Sequence, residues 1–122
     1  MNTITKETMQ KFEEPIENTL SLLGLNHSYK GFRYLICGIG LAMEKPEILS
    51  YICKGVYWEI AGRFGTTYSC VERDIRTARE TILRNGSEAL RIQVFGEKYR
   101  NSLPKNAEFI DCLARYLKQQ TR

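Results

Sequence analysis

The side chains best suited to chemistry in this sequence lie between Thr66 and Arg84, where arginines recur with glutamates and hydroxyl groups. At the angular step of an α-helix, one stripe of this segment is apolar: Val71, Ile75, Ala78 and Ile82. The opposite arc holds Ser69, Arg73, Arg76, Glu80 and Arg84, with Glu72 and Arg79 on one flank and Cys70 and Thr77 on the other. An arginine fork can bond guanine O6 and N7 or grip a phosphate, and a glutamate can accept from cytosine N4. The pattern predicts a helix that reads the major groove of DNA.

The start of this helix is predicted from its capping residues. Thr67 is a suitable N-cap, and Ser69 with Glu72 could instead form a capping box two residues later. Hydroxyl groups at Thr66, Thr67 and Ser69 can bond phosphate oxygens, and the partial positive charge of a helix N-terminus favours the same contact. We therefore predict a recognition helix over about residues 67–85.

The residues before it complete a helix-turn-helix pattern from Tyr57 to Asn85. Ala61 is small enough for the second helix to cross the first, and Gly65 tolerates the positive φ that the turn requires. Ile60 and Phe64 supply the apolar contacts before the crossing and at the end of the first helix.

A second interpretation of the same residues stays open at this point. Arginine and glutamate on a helix surface also form a solvated face with ion pairs, such as Glu72 with Arg76 or Arg76 with Glu80. A helix-turn-helix can also act only as a packing unit.

Helical periodicity extends over most of the chain and predicts an all-α fold, a compact bundle of about six helices. Residues 1–12 are predicted as a polar lead-in or linker and residues 13–122 as the helix-turn-helix domain. The helices are expected over residues 15–24, 28–43, 48–64 with a possible break at Gly55, 68–84, 87–95 and 106–119. The glycines of the second helix indicate close approach of a neighbouring helix.

Composition excludes several classes of function. The chain has 122 residues, a net charge of +4 and no apolar run long enough to span a membrane, and its polar N-terminus is unlike a secretory signal. We therefore expect a cytoplasmic protein. His27 is the only histidine, and the four cysteines form no CxxC pair, so neither a metal site, a cofactor nor an enzymatic centre is expected. Core positions are predicted for three cysteines and for six aromatic residues: Cys37, Cys53, Cys112, Tyr29, Phe32, Tyr34, Tyr51, Tyr57 and Trp58.

Three segments resemble the DNA-binding effector domain of stage zero sporulation protein A, a response regulator of spore-forming Firmicutes. They are Tyr57–Arg76, Lys30–Leu35 and Pro104 followed by Asn106–Ile110, and the likeness runs from about Leu20 to Leu117. The resemblance implies a six-helix domain that binds a promoter box in double-stranded DNA, a dimer on that DNA, and contact with the RNA polymerase sigma factor.

The resemblance also implies roles for individual residues. The expected base-contacting positions are Cys70, Glu72, Arg73 and Arg76. Of these, Glu72 would read a base, and Arg73 and Arg76 would hold base edges or phosphates. Ser69 is the backbone contact that the resemblance implies. The side-chain chemistry adds further backbone candidates: Thr66, Thr67 and Thr77, and also Lys54, Arg63 and Lys105, which could equally be solvated surface charges.

The sequence departs from the family at three points. Cys70 stands where the family has an arginine that reads guanine, and cysteine cannot form that fork. Either the target box differs, base affinity is lower, or a neighbour such as Arg73 substitutes. Trp58 replaces a family proline, which would lengthen the preceding helix. Finally, 122 residues leave no room for the family's receiver domain, so the chain is either an excised effector domain or a free-standing relative.

Overall fold

The first helix begins earlier than its proline suggests. The computed structural model describes the backbone of residues 6–120 and the side chains of residues 12–120, and α1 spans Lys6–Leu22. The predicted start at Pro15 is wrong, because Pro15 lies inside α1. The residues before it are mostly good helix formers, and an internal proline removes one backbone hydrogen bond. Residues 6–12 of the predicted lead-in are thus helical, and residues 1–5 lie outside the described residues.

Helix α2, Lys30–Glu44, forms the centre of the domain. Its residues from Gly31 to Met43 are buried except Arg33, because α1, α4 and α6 all pack against it. The glycines allow this close approach, as predicted. A Cβ placed on Gly31 would lie 2.4 Å from the carbonyl oxygen of Asp74, in the neighbouring helix α4.

The stretch predicted as one helix over residues 48–64 changes helix type twice. A 3-10 segment over Pro46–Tyr51 is followed by a π-helical turn over Cys53–Tyr57 and then by α3, Trp58–Phe64. Gly55 lies within the π-helical turn, where a Cβ would be 2.6 Å from Cγ1 of Ile48. Gly65 ends α3 with a φ of +64°, which is the left-handed conformation that the turn was predicted to need.

The remaining helices follow their predicted caps and stops. Helix α4 spans Tyr68–Asn85, α5 spans Glu88–Phe95, a short 3-10 turn spans Glu97–Tyr99, and α6 spans Asn106–Gln120. The Thr67 hydroxyl accepts a hydrogen bond from the Cys70 amide at 3.2 Å, which settles the start of α4 in favour of the earlier register. The prediction of an all-α fold with six α-helices is confirmed over residues 6–120.

The core confirms the inward stripe of α4, since Val71, Ile75, Ala78 and Ile82 are fully buried. Three of the predicted core positions are wrong: Cys53, Tyr51 and Trp58 are exposed. All three belong to the 3-10, π and α3 segments, where the change of helix type rotates side chains away from the face that uniform α-helical spacing predicts. Within residues 6–120, no helix is long and apolar enough to cross a membrane.

Candidate nucleic-acid interface

The outward face of α4 carries the side chains that sequence analysis placed there. The side chains of Arg73, Arg76 and Glu72 are 58%, 46% and 38% exposed. Ser69 and Thr77 are also exposed, on the same side of the helix. Because the opposite stripe is buried in the core, the orientation of this face is set by packing.

Two ion pairs organise the arginines on this face. Nη1 of Arg76 donates to both carboxylate oxygens of Glu72, at 3.1 Å to each. Arg73 has a looser contact, with its Nε 3.5 Å from a carboxylate oxygen of Asp74. Arg73 is therefore the more available of the two cations for a new partner, while Arg76 must exchange one partner for another.

The N-terminal turn of α4 gathers the hydroxyl groups that were expected to contact the DNA backbone. Thr67 and Ser69 are exposed, and Thr66 is half-buried. The Thr66 amide donates to the carbonyl oxygen of Ala61 at 3.0 Å, which ties the turn to α3. These groups lie at the positive end of the α4 dipole, where an anion is stabilised.

Cys70 lies beside this turn and is partly exposed. Hydrogen bonds from the Thr67 and Thr66 hydroxyls, with a smaller contribution from the charge of Arg73, lower the pKa of its thiol. Burial instead raises the pKa of the Cys37 thiol to about 11. The two cysteines should therefore differ in reactivity, since the thiolate is the nucleophile.

We expect iodoacetamide near neutral pH to alkylate Cys70 well before Cys37 in the folded protein. Cys53 is exposed as well and serves as a comparison for access alone. Mass spectrometry of peptides over a time course measures each site, and Cys70→Ser should remove one rapidly modified peptide. Equal rates at Cys70 and Cys37 in the folded protein would contradict this assignment.

A polar network that sequence analysis missed fixes α4 against α6. Nη1 of Arg79 donates to the carbonyl oxygen of Pro104 and to Oδ1 of Asn106, both at 3.1 Å. Nδ2 of Asn106 donates to the Tyr57 hydroxyl at 3.0 Å and to the backbone carbonyl of Glu72 at 3.3 Å. The only signal for it in the sequence was Arg79 on the flank of the polar arc. Arg79 therefore acts as a structural clamp.

This clamp brings Lys105, one of the more distant candidates, next to the exposed arc of α4. Lys105 is exposed and lines a surface cavity of about 500 Å³ together with Glu72, Arg76 and Arg79. Lys54 is exposed on the π-helical turn, next to Cys53, which lines the same cavity.

Arg63 lies in a different environment, in the last turn of α3. Its Nε is 2.9 Å from a carboxylate oxygen of Glu59, and its charge acts on the buried thiol of Cys37. Neither contact brings it to the cavity beside Glu72. Arg63 stays a prediction with less geometric support than Lys105.

A shallow groove lies beside the start of α4 and was not foreseen. It is lined by Trp58, Ala61, Gly62, Thr66, Thr67 and Tyr68, and has a volume of about 330 Å³. Trp58 and Tyr68 are 63% and 51% exposed, so two aromatic side chains flank the hydroxyl groups of the turn. The chain's single tryptophan is thereby close to the proposed DNA surface.

Among the described residues, no group of three or more histidine, cysteine, aspartate or glutamate side chains is placed to hold a metal ion. What the outward face of α4 offers is a row of hydrogen-bond donors together with the carboxylates of Glu72 and Glu80.

The chain matches the family described as sporulation initiation factor Spo0A C terminal over residues 16–117, which is most of its length. The match includes α2, the helix-turn-helix and nearly all of α6. The resemblance noted in the three sequence segments is thus confirmed, and the chain belongs to the Spo0A C-terminal family, the DNA-binding effector domains of the sporulation response regulator.

Proposed function

We propose that this chain is a sequence-specific DNA-binding transcription regulator and that α4 is its recognition helix in the major groove. The observation that carries the proposal is the division of α4 into a fully buried apolar stripe and an exposed arc of arginine, glutamate and hydroxyl groups. The helix is held from both sides, by α2 and by the Arg79 clamp to α6, so its outward face is presented rigidly.

In this proposal Glu72, Arg73 and Arg76 face base edges, and the side chain of Cys70 lies over the base that an arginine reads in the family. The hydroxyl groups of Thr66, Thr67, Ser69 and Thr77 bind phosphates, which position the helix but carry no sequence information. Lys105 and Lys54 extend the backbone contact along the cavity beside Glu72. Arg63 is the remaining backbone candidate.

The wider partners follow from family membership and belong to the same proposal. The partners are a second copy of the chain on DNA and the sigma factor of RNA polymerase. The proposed site of action is the cytoplasm. Double-stranded DNA fits the exposed arc of α4, because arginine, glutamate and hydroxyl groups can bond base edges and phosphates.

The test begins with selection of bound sequences from random duplex DNA, followed by fluorescence anisotropy on the selected duplex. We expect Arg73→Ala to weaken binding to the selected duplex by about 1–3 kcal/mol, because the loss of one base contact has that cost. Arg115→Ala is a matched control, since Arg115 is also an exposed helical arginine paired with a carboxylate, on α6. If no sequence is enriched, and binding disappears at moderate salt, specific recognition is wrong.

A protein-interaction module is the second candidate, and two observations favour it. Cys70 lacks the guanine-reading fork, and the groove beside Trp58 and Tyr68 exposes aromatic surface that a protein partner could cover. This candidate predicts weak, sequence-independent DNA binding that Arg73→Ala reduces equally on every duplex.

A further inference from the structure

The Glu72–Arg76 ion pair joins two side chains that the proposed function assigns to base reading. It connects positions one helical turn apart, and one guanidinium nitrogen bonds both carboxylate oxygens. Both side chains remain partly exposed, so the pair lies on the surface that would meet the DNA. Base reading by either member therefore requires the pair to open or to bind as a unit.

The pair also changes the charge that the face offers to a phosphate. Arg73 is close to Asp74, but at a longer distance of 3.5 Å and through a single contact. Arg76 is thus the more tightly engaged of the two central arginines. While Glu72 holds it, its attraction to the DNA backbone, which is the same for every sequence, is largely cancelled.

We propose that Glu72 is a specificity-determining residue that acts through Arg76. Its carboxylate holds the Arg76 guanidinium in the ion pair until the correct base pair takes the place of Arg76 as the hydrogen-bond donor to the carboxylate. The inference rests on the proposed function and extends it. The amino group of a cytosine can donate a hydrogen bond to the Glu72 carboxylate in place of Arg76. Arg76 is then free to bind a base or a phosphate. A base without that donor leaves the carboxylate facing hydrogen-bond acceptors, so the ion pair stays closed.

The energies are compatible with such an exchange. Exposed ion pairs one turn apart on a helix are weak, so opening this one is a small cost that a single good base contact can offset. On an incorrect sequence the closed pair keeps Arg76 from the nearby phosphates. Glu72 therefore favours the correct sequence mainly by weakening the binding of the others.

The experiment compares Glu72→Gln with the wild-type chain on a random duplex and on the duplex obtained by selection. We expect Glu72→Gln to bind the random duplex about twofold to fivefold more tightly, with a salt dependence steeper by about one released counterion, because Arg76 is freed. The affinity for the selected duplex should fall, because the base contact of Glu72 is lost. The ratio of selected to random affinity should therefore decrease by a larger factor than the random affinity increases. The folded state of each variant is checked by circular dichroism and thermal unfolding.

Asp111→Asn is the matched control. Asp111 pairs with Arg115 one helical turn away in α6, at 2.9 Å, so this change also removes one carboxylate and frees one arginine. It should alter the random affinity less than Glu72→Gln does and leave the ratio of selected to random affinity unchanged. An equal effect of both variants would show that only net charge matters, and would overturn the inference.

A double variant tests whether Glu72 acts through Arg76. In an Arg76→Ala background, Glu72→Gln should no longer raise the random affinity or steepen the salt dependence. If it still does, Glu72 acts directly on the DNA and the inference is wrong. A wild-type chain that binds no DNA at all would instead overturn the proposed function, so the two failures are distinguishable.

Discussion

Gly31→Ala is expected to destabilise the fold by about 2–3 kcal/mol, since overpacking costs about 1–3 kcal/mol and occasionally more. The added Cβ would lie 2.4 Å from the Asp74 carbonyl oxygen and 2.8 Å from the Ala78 Cβ. The first of these atoms belongs to the backbone of α4, so no side-chain rotation can relieve the overlap. Alanine gains up to about 1 kcal/mol of helix propensity over glycine, which offsets part of the cost.

The same substitution should also weaken DNA binding, because α4 must shift away from α2 to make room. Urea unfolding measures the loss of stability, and anisotropy on the selected duplex measures the loss of binding at a temperature where the variant is folded. Gly62→Ala is the matched control, as Gly62 lies inside α3 and an added Cβ would meet no atom within 4 Å. Gly62→Ala should be neutral or stabilising. A Gly31→Ala protein as stable as wild type would mean that α2 and α4 do not pack this closely.

Helix α4 was predictable because its signals agree with each other. Thr67 caps it, Val71 and Ile75 follow helical spacing into the core, and Gly65 ends the helix before it. Capping, periodicity and turn chemistry are local, so a sequence displays them directly. The glycines of α2 also indicated a close helix contact, but only the structure identifies α4 as the neighbour of Gly31.

The errors have two physical origins. A proline can lie inside a helix as well as at its start, and periodicity assumes a uniform helix. Pro15 was interpreted as a helix start, although the residues before it continue the helix. The apolar pattern predicts Cys53 and Trp58 in the core. The π-helical turn that begins at Cys53 and ends just before Trp58 changes which side chains face inward. The helix type of such a turn depends on tertiary contacts, such as that of Gly55 with Ile48, which the sequence does not reveal.

The candidate site shows the same division between local and distant information. The exposed arc of α4 with Glu72, Arg73 and Arg76 follows from helical geometry alone, and the structure bears out its exposure. The Arg79–Asn106 bond joins residues 27 positions apart in sequence and depends on how α6 packs. This bond could not be predicted from residue spacing. Together with the bond to the Pro104 carbonyl, it places Lys105 beside the exposed arc of α4.

Cys70→Arg is the substitution with the largest expected effect on DNA binding. Cys70 lies in the first turn of α4, between the hydroxyl groups that we propose as phosphate contacts and Arg73, and is partly exposed. An arginine there can reach a guanine with both arms of its fork, and each such contact discriminates by about 1–3 kcal/mol. We therefore expect a roughly tenfold to hundredfold gain in affinity for a duplex with guanine at the facing position. A positive charge near a helix N-terminus costs about 0.3–1 kcal/mol of stability, so the fold should persist.

Cys70→Lys separates the fork from the charge. Lysine adds the same charge but cannot form the planar bidentate contact, so it should raise affinity for all duplexes to a similar and smaller extent. Selection from random duplex DNA with each variant identifies the base that position 70 faces. Equal gains for arginine and lysine on every duplex would mean that no base lies opposite this position. If Cys70→Arg binds DNA tightly and the natural chain binds almost none, the protein-interaction module is favoured. The natural α4 would then have the shape that DNA binding needs but lack the main base contact.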